Sequence, residues 1–222
     1  MKNKLIILIL LMVITNVGAQ DYFEGEIQYT INYEPINKKI SASILEKELG
    51  NSLTAYVKDD RYAMVYHGNG SNGWMKVVVL LKEECTYTEF EKSDTITKTK
   101  FGKSKQRLLL FKRNLENKKE VLNEMCESIT INYESKEKEA FFQISKGTYY
   151  FNPKYKLNTD FYKNDTDSYW NLFVGESKSI SIRNETEYYP LFKVVQEAVF
   201  IKKKKISNKI FVINKSKFIK EK

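Results

Sequence analysis

Phe23-Glu24-Gly25-Glu26-Ile27-Gln28-Tyr29-Thr30-Ile31-Asn32-Tyr33 puts Phe23, Ile27, Tyr29, Ile31 and Tyr33 on one parity and Glu24, Glu26, Gln28, Thr30 and Asn32 on the other. Successive side chains of a strand point to opposite faces, so this alternation predicts a half-buried β-strand with one wet face. Such a strand needs partners, and most of the chain after it reads as further strands. Residues 52–57 and 61–66 flank the turn Asp59-Asp60, and residues 74–81, 86–90 and 95–101 follow. Val77-Val78-Val79-Leu80-Leu81 is continuous rather than alternating, which predicts a strand covered on both faces.

Farther on, residues 108–111 read as a short apolar strand and Asn114–Lys119 as a polar loop. Residues 128–133 and 140–144 form a hairpin signal across a charged turn. Residues 148–151 make a strand that Asn152-Pro153 ends. Strands are also predicted at 177–182, 192–203 and 210–212. Two short helices interrupt the pattern. Ile40, Ile44, Leu45 and Leu49 recur at helical spacing before Gly50. Asp167 or Ser168 is placed to cap a short turn carrying Trp170, Leu172 and Phe173. Many short strands joined by turns predict a mainly β fold: a single antiparallel, strongly curved sheet or incomplete β-barrel with one or two short helices. No internal repeat or second-domain boundary interrupts residues 20–222, which read as one β-rich domain.

Residues 1–19 have the form of a secretory signal. Lys2 and Lys4 precede an apolar run over residues 5–14, and Val17-Gly18-Ala19 offers a small-residue cleavage site before Gln20. The expected compartment is periplasmic or extracellular. The formal net charge is +9, and loss of Lys2 and Lys4 leaves +7. An exported basic protein meets an anionic membrane surface or acidic glycans more often than nucleic acid, and plain solubility is the alternative reading of the charge. Cys85 and Cys126 are the two cysteines, with 40 residues between them. In an oxidising compartment they are expected to pair, which would stabilise the chain by roughly 4 kcal/mol on the chain-entropy argument; two buried free thiols are the alternative.

Chemistry-bearing motifs are weak. Gly68-Asn69-Gly70-Ser71-Asn72-Gly73 fits G-x-G-x-x-G, but the β-like Trp74-Met75-Lys76-Val77 follows where a dinucleotide site needs a helix, so a hairpin loop is predicted. His67 is the single histidine, too few for a His-rich zinc site; with Cys85 it makes a formal nucleophile–base pair. Asn164-Asp165-Thr166-Asp167-Ser168 lacks the glycine and glutamate of a calcium loop and reads as a solvated turn. Lys202–Lys205 reads as the charged end of an edge strand, with polyanion binding as the alternative. No catalytic, cofactor or metal residue is assigned, and the chain is expected not to be an enzyme.

The leader, the Gln20-Asp21-Tyr22-Phe23-Glu24-Gly25-Glu26-Ile27-Gln28-Tyr29 opening, Cys126, the Tyr149-Tyr150-Phe151-Asn152-Pro153 segment and Trp170-Asn171 together resemble exported Bacteroidetes-type proteins of unknown function. Some of these share the fold of the outer-membrane lipoprotein carriers. The resemblance implies an incomplete barrel whose apolar concave face holds a lipid or a lipoprotein acyl chain, and it transfers no functional residue. The expected function is a non-enzymatic periplasmic protein that binds an apolar ligand, with Phe23, Ile27, Tyr29, Ile31 and Tyr33 facing ligand or core. The alternative is a structural or interaction protein of the envelope whose interior is filled by its own side chains.

Overall fold

The structure is a computed structural model, and it describes residues 22–222. The expected leader and the cleavage before Gln20 lie outside the described residues. In chain order the elements are β1 (Gly25–Pro35), α1 (Ala42–Leu49), β2 (Ser52–Lys58), β3 (Arg61–Tyr66), β4 (Met75–Leu80), β5 (Cys85–Phe90), β6 (Thr95–Lys100), β7 (Gln106–Val121), β8 (Glu124–Ser135), β9 (Ile144–Lys156), α2 (Thr159–Tyr162), α3 (Trp170–Ser177), β10 (Ser179–Tyr189), β11 (Phe192–Lys203) and β12 (Phe218–Glu221). All twelve strands belong to one sheet, in the order β12-β6-β5-β4-β3-β2-β1-β11-β10-β9-β8-β7. Pairing is antiparallel throughout except that β12 runs parallel to β6.

The connectivity forces the sheet to curl. β6 is the second strand of the sheet and β7 the twelfth, yet only residues 101–105 join them. Ten strand spacings of about 4.8 Å would separate them by roughly 48 Å in a flat sheet. The six steps from Lys100 to Gln106 reach about 21 Å at full extension. The sheet is therefore rolled into an open barrel, unclosed between β12 and β7.

The roll gives the sheet an inside and an outside. Phe23, Ile27, Tyr29 and Ile31 are buried in the main core with Leu53, Ala55 and Val57 of β2, Ile129 and Ile131 of β8, and Val194 and Ala198 of β11; Tyr33 is half-buried against it. α1 covers one end of this interior. Ser41 caps it by accepting from the Ile44 amide, and Gly50 ends it at φ 88, a conformation costly for residues with a Cβ. Only Leu45 of the helix is buried, and Ile44 is exposed. A second, smaller core lies outside, where Ala63, Val78, Ile206 and Phe211 meet. The chain after β11 returns over β2–β5 as a strap: the Lys58 ammonium donates to the Ile206 carbonyl at 3.3 Å and the Lys76 ammonium to the Val212 carbonyl at 2.9 Å. This strap is why the valine run of β4 is apolar on both faces, with Val79 in the inner core and Val78 in the outer one.

Several elements differ from the sequence reading. The expected short strand and polar loop at 108–119 are one strand, β7, sixteen residues long. Its register shifts twice, and the second shift lets Asn114 to Lys119 bulge while the strand continues. Residues 140–143 are loop, and β9 starts at Ile144. β9 also runs through Pro153, which sits where pairing to β10 is interrupted and where β8 offers no partner; proline's missing N–H costs little there. Lys202 and Lys203 end β11, the eighth strand of twelve, not an edge; Lys204 then pairs with Glu26 at 2.5 Å. Residues 208–211 form a single helical turn rather than a strand.

The disulfide expectation is corrected: Cys85 and Cys126 are free and buried. Cys85 shares strand parity with Tyr87, which packs on the outer core, whereas Cys126 belongs to the inner core. Their strands are third and eleventh in the sheet. With the sheet between them, the thiols cannot meet the geometry of a bridge.

Candidate functional site

Residues 158–177, between β9 and β10, form a lid on the inner face. The Asn158 side chain accepts from the Asp160 amide and starts α2, and α3 follows after an irregular turn. The lid docks through aromatic rings. Tyr162 stacks on Tyr62 of β3 with centroids 6.2 Å apart and planes 11° from parallel. Trp170 stacks on Phe173 at 4.6 Å, and Phe173 lies tilted against Tyr149 at 5.7 Å and edge-on to Phe151 at 6.0 Å. Phe173 and Val174 are fully buried, while Trp170 stays half-exposed at the rim. Tyr149 is free to lie along the strand because residue 147 is glycine: a Cβ there would sit 2.5 Å from the Tyr149 ring.

The expected caps of the Trp170 turn are used otherwise. Asp167 accepts from the Gln106 amide group at 3.1 Å, and the Ser168 hydroxyl accepts from Tyr133 at 3.0 Å. The amide of Asn171 instead donates to the backbone carbonyl of Asp165 at 2.8 Å.

Beneath the lid lies a cavity of about 90 Å³. Ile27, Leu53 and Val57 form its apolar floor, Tyr62, Tyr162 and Trp170 its roof. Ser181, Asn184 and Gln196 make a polar strip along one wall. The Asn184 side-chain amide donates to the Gln196 side-chain oxygen at 3.2 Å, and Ser181 hydrogen-bonds Asn184. Burial pushes the phenols that face this interior well above their ordinary pKa: Tyr29, Tyr62 and Tyr162 are neutral donors, unsuited to act as bases.

No protein-family model matches this chain, and no curated protein matches it. Several solved structures are similar to it, among them the following two. One is an uncharacterized conserved protein from Thermus thermophilus, at TM-score 0.44 and 9% identity over 90% of this chain and 91% of that one. The other is a LolA superfamily protein from Nitrosomonas europaea, at TM-score 0.38 and 8% identity over 86% and 90%. At such distances function has to be read from this chain's own side chains.

Of the sequence candidates, Phe23, Ile27, Tyr29, Ile31 and Tyr33 lie together on the inner face, and Ile27 and Tyr29 line the cavity. His67 and Cys85 are not brought together. Register places Cys85 level with Arg61 at one end of β3–β5, and His67 beyond Tyr66, which is level with Phe90 at the other. The His67 ring bonds Thr54 Oγ1 at 2.9 Å, and burial raises the Cys85 thiol's pKa, the reverse of what a nucleophile requires. The glycine-rich stretch is the β3–β4 hairpin loop, held by Glu48, which accepts from the Ser71 amide at 2.8 Å. Among the described residues no group of three or more His, Cys, Asp and Glu side chains is placed to hold a metal ion. Likewise, no described helix is long and apolar enough to cross a membrane.

One residue that sequence reasoning missed is Asp165. It sits in the Asn-Asp-Thr-Asp-Ser stretch that reads as a solvated turn, yet within the lid it is only 4% exposed. No local signal marks it, because its side-chain partner, Tyr62, lies 103 positions away.

Proposed function

We propose that this protein is a non-enzymatic carrier that binds one apolar chain, a lipid or acyl group, on the inner face of the rolled sheet beneath the lid. The observation that supports this is the way the interior is closed. The apolar floor of β1 and β2 faces Tyr162 and Trp170 of a separate twenty-residue segment, which close over it together with Tyr62 of β3, and a cavity remains between them. At about 90 Å³ that space is smaller than the roughly 150 Å³ that accommodates benzene in an engineered cavity. The space must therefore widen to take an acyl chain, which would enter by displacing Tyr162 and Trp170. The amides of Asn184 and Gln196 would meet the polar end of such a ligand.

A second reading is favoured by the same volume: an envelope protein of structural or interaction type, whose inner face is simply its core. Titration with a fluorescent fatty acid, together with native mass spectrometry after gentle extraction, decides between them. Saturable micromolar binding that is weakened by Ile27→Trp, or a co-purifying lipid, supports the carrier. Absence of both leaves the structural reading.

A further inference from the structure

The lid is fastened through one acid, and among the described residues no compensating charge acts on it. Oδ2 of Asp165 accepts the Tyr62 hydroxyl at 3.3 Å. Its backbone N–H donates to the Tyr162 carbonyl at 3.1 Å, and its carbonyl accepts from Asn171 at 2.8 Å. α2, α3 and β3 therefore converge on this residue. The charged groups nearby are spent elsewhere or have the wrong sign. Asp167, on the following turn, repels it, and Asp59 of the β2–β3 turn acts on Tyr162. Lys82 stands 5.0 Å over the Phe161 ring, Lys163 pairs with Asp160 at 2.7 Å, and Glu84 accepts from the Asn164 amide group at 2.6 Å. Among the described residues, a carboxylate buried here has a phenol for company and no cation paired with it.

We propose that Asp165 is a proton-operated latch: protonated, it holds residues 158–177 down over the cavity, and ionised, it drives that segment off the sheet so that ligand can exchange. This rests on reading the inner face as a ligand site. Burial raises the Asp165 carboxyl to about 7 with the lid closed, with Asp167 adding to the rise and the Tyr62 hydrogen bond opposing it. With the lid open the group is solvated and returns to the ordinary value of roughly 3.9. The closed form thus binds the proton more tightly. Closure is fully favoured below about pH 4, is eroded about tenfold for each unit of pH up to about 7, and is at its weakest, constant level above that. The carrier would hold its contents in acid and exchange them at neutral or alkaline pH.

The test is hydrogen exchange of the lid amides, read by mass spectrometry between about pH 5 and 8 and corrected for the intrinsic rate, on the unliganded full chain. The wild type is expected to show a lid-opening constant that rises about tenfold per unit and levels off above about pH 7. Asp165→Asn should stay protected and flat. Tyr62→Phe removes a bond that favours ionisation, so it should move the midpoint upward; this variant carries the test if Asp165→Asn fails to fold. A wild-type lid whose protection ignores pH, or a variant with the wild-type profile, overturns the latch. Fatty-acid titration separates the two ideas. Binding without a pH-dependent lid removes the latch and keeps the carrier, whereas a pH-dependent lid without binding does the opposite.

Discussion

The hydroxyl of Tyr29 on β1 donates to the backbone carbonyl of Ser181 on β10, 2.9 Å away, reaching past the intervening strand β11. The ring lies on the inner face at 6% exposure, so the bond ties two strands together from inside the roll and away from water. Tyr29→Phe keeps the ring and leaves the carbonyl unpaired. Its expected cost is about 1–3 kcal/mol in urea unfolding, the penalty of an orphaned buried group. A variant as stable as the wild type would mean that water replaces the phenol.

Ile31 is 2% exposed and packs in the inner core. Ile31→Ala should lose about 2–5 kcal/mol, the usual range for truncation in a filled core. It does not line the cavity, so this loss is expected on either functional reading. Ile27 lines the cavity and is expected to lose less when cut to alanine, because part of its surface already faces open space. Equal losses at the two positions would argue that the space is absent in solution.

Cys85 and Cys126 should both resist thiol reagents in the native protein, since each is buried and burial raises each thiol's pKa. Two thiols per chain should titrate after unfolding without reductant. A result of none would restore the bridge that the sheet geometry excludes.

Arg61 forks onto Asp60 with contacts of 2.8 and 2.9 Å and holds its carboxyl down at about 2. A depressed acid stabilises the fold above its unfolded value of roughly 3.9, and that contribution disappears as pH falls through about 2. Asp60→Asn should therefore flatten the stability profile across this acid window. At neutral pH it should cost no more than about 1 kcal/mol, because the pair is partly solvated. Chemical denaturation at several acid pH values checks both statements.

Strand alternation made much of the architecture legible. The parity of Phe23 through Tyr33 is the buried and wet faces of β1, and the valine run does lie between two cores. What escaped was set by long-range packing. Asn114–Lys119 reads as a loop because its residues are polar, yet β7 is an edge strand with solvent along one side, where polar side chains and a bulge suit pairing. Asp165 reads as solvated because its neighbours in sequence are polar, whereas the fold buries it and brings Tyr62 from β3 to its carboxyl. The two cysteines stand just ahead of the strands read from 86 and 128, and which face of the roll each takes depends on the outer strap.

β1 is paired on one side by β11, with Ile27 opposite Ile201. The chain is made from its N-terminus, so this central strand is among the first produced, and its partner is among the last. Until residue 201 arrives, the roll has no middle: β2–β6 can zip locally, as can β7–β10, but the two halves have nothing to join them except the short link 101–105. Closing so long a loop makes completion of the sheet slow compared with hairpin formation. The newborn chain therefore spends its synthesis as two unfinished half-sheets, each exposing a raw edge, and a truncation anywhere before β11 would leave both open to other chains.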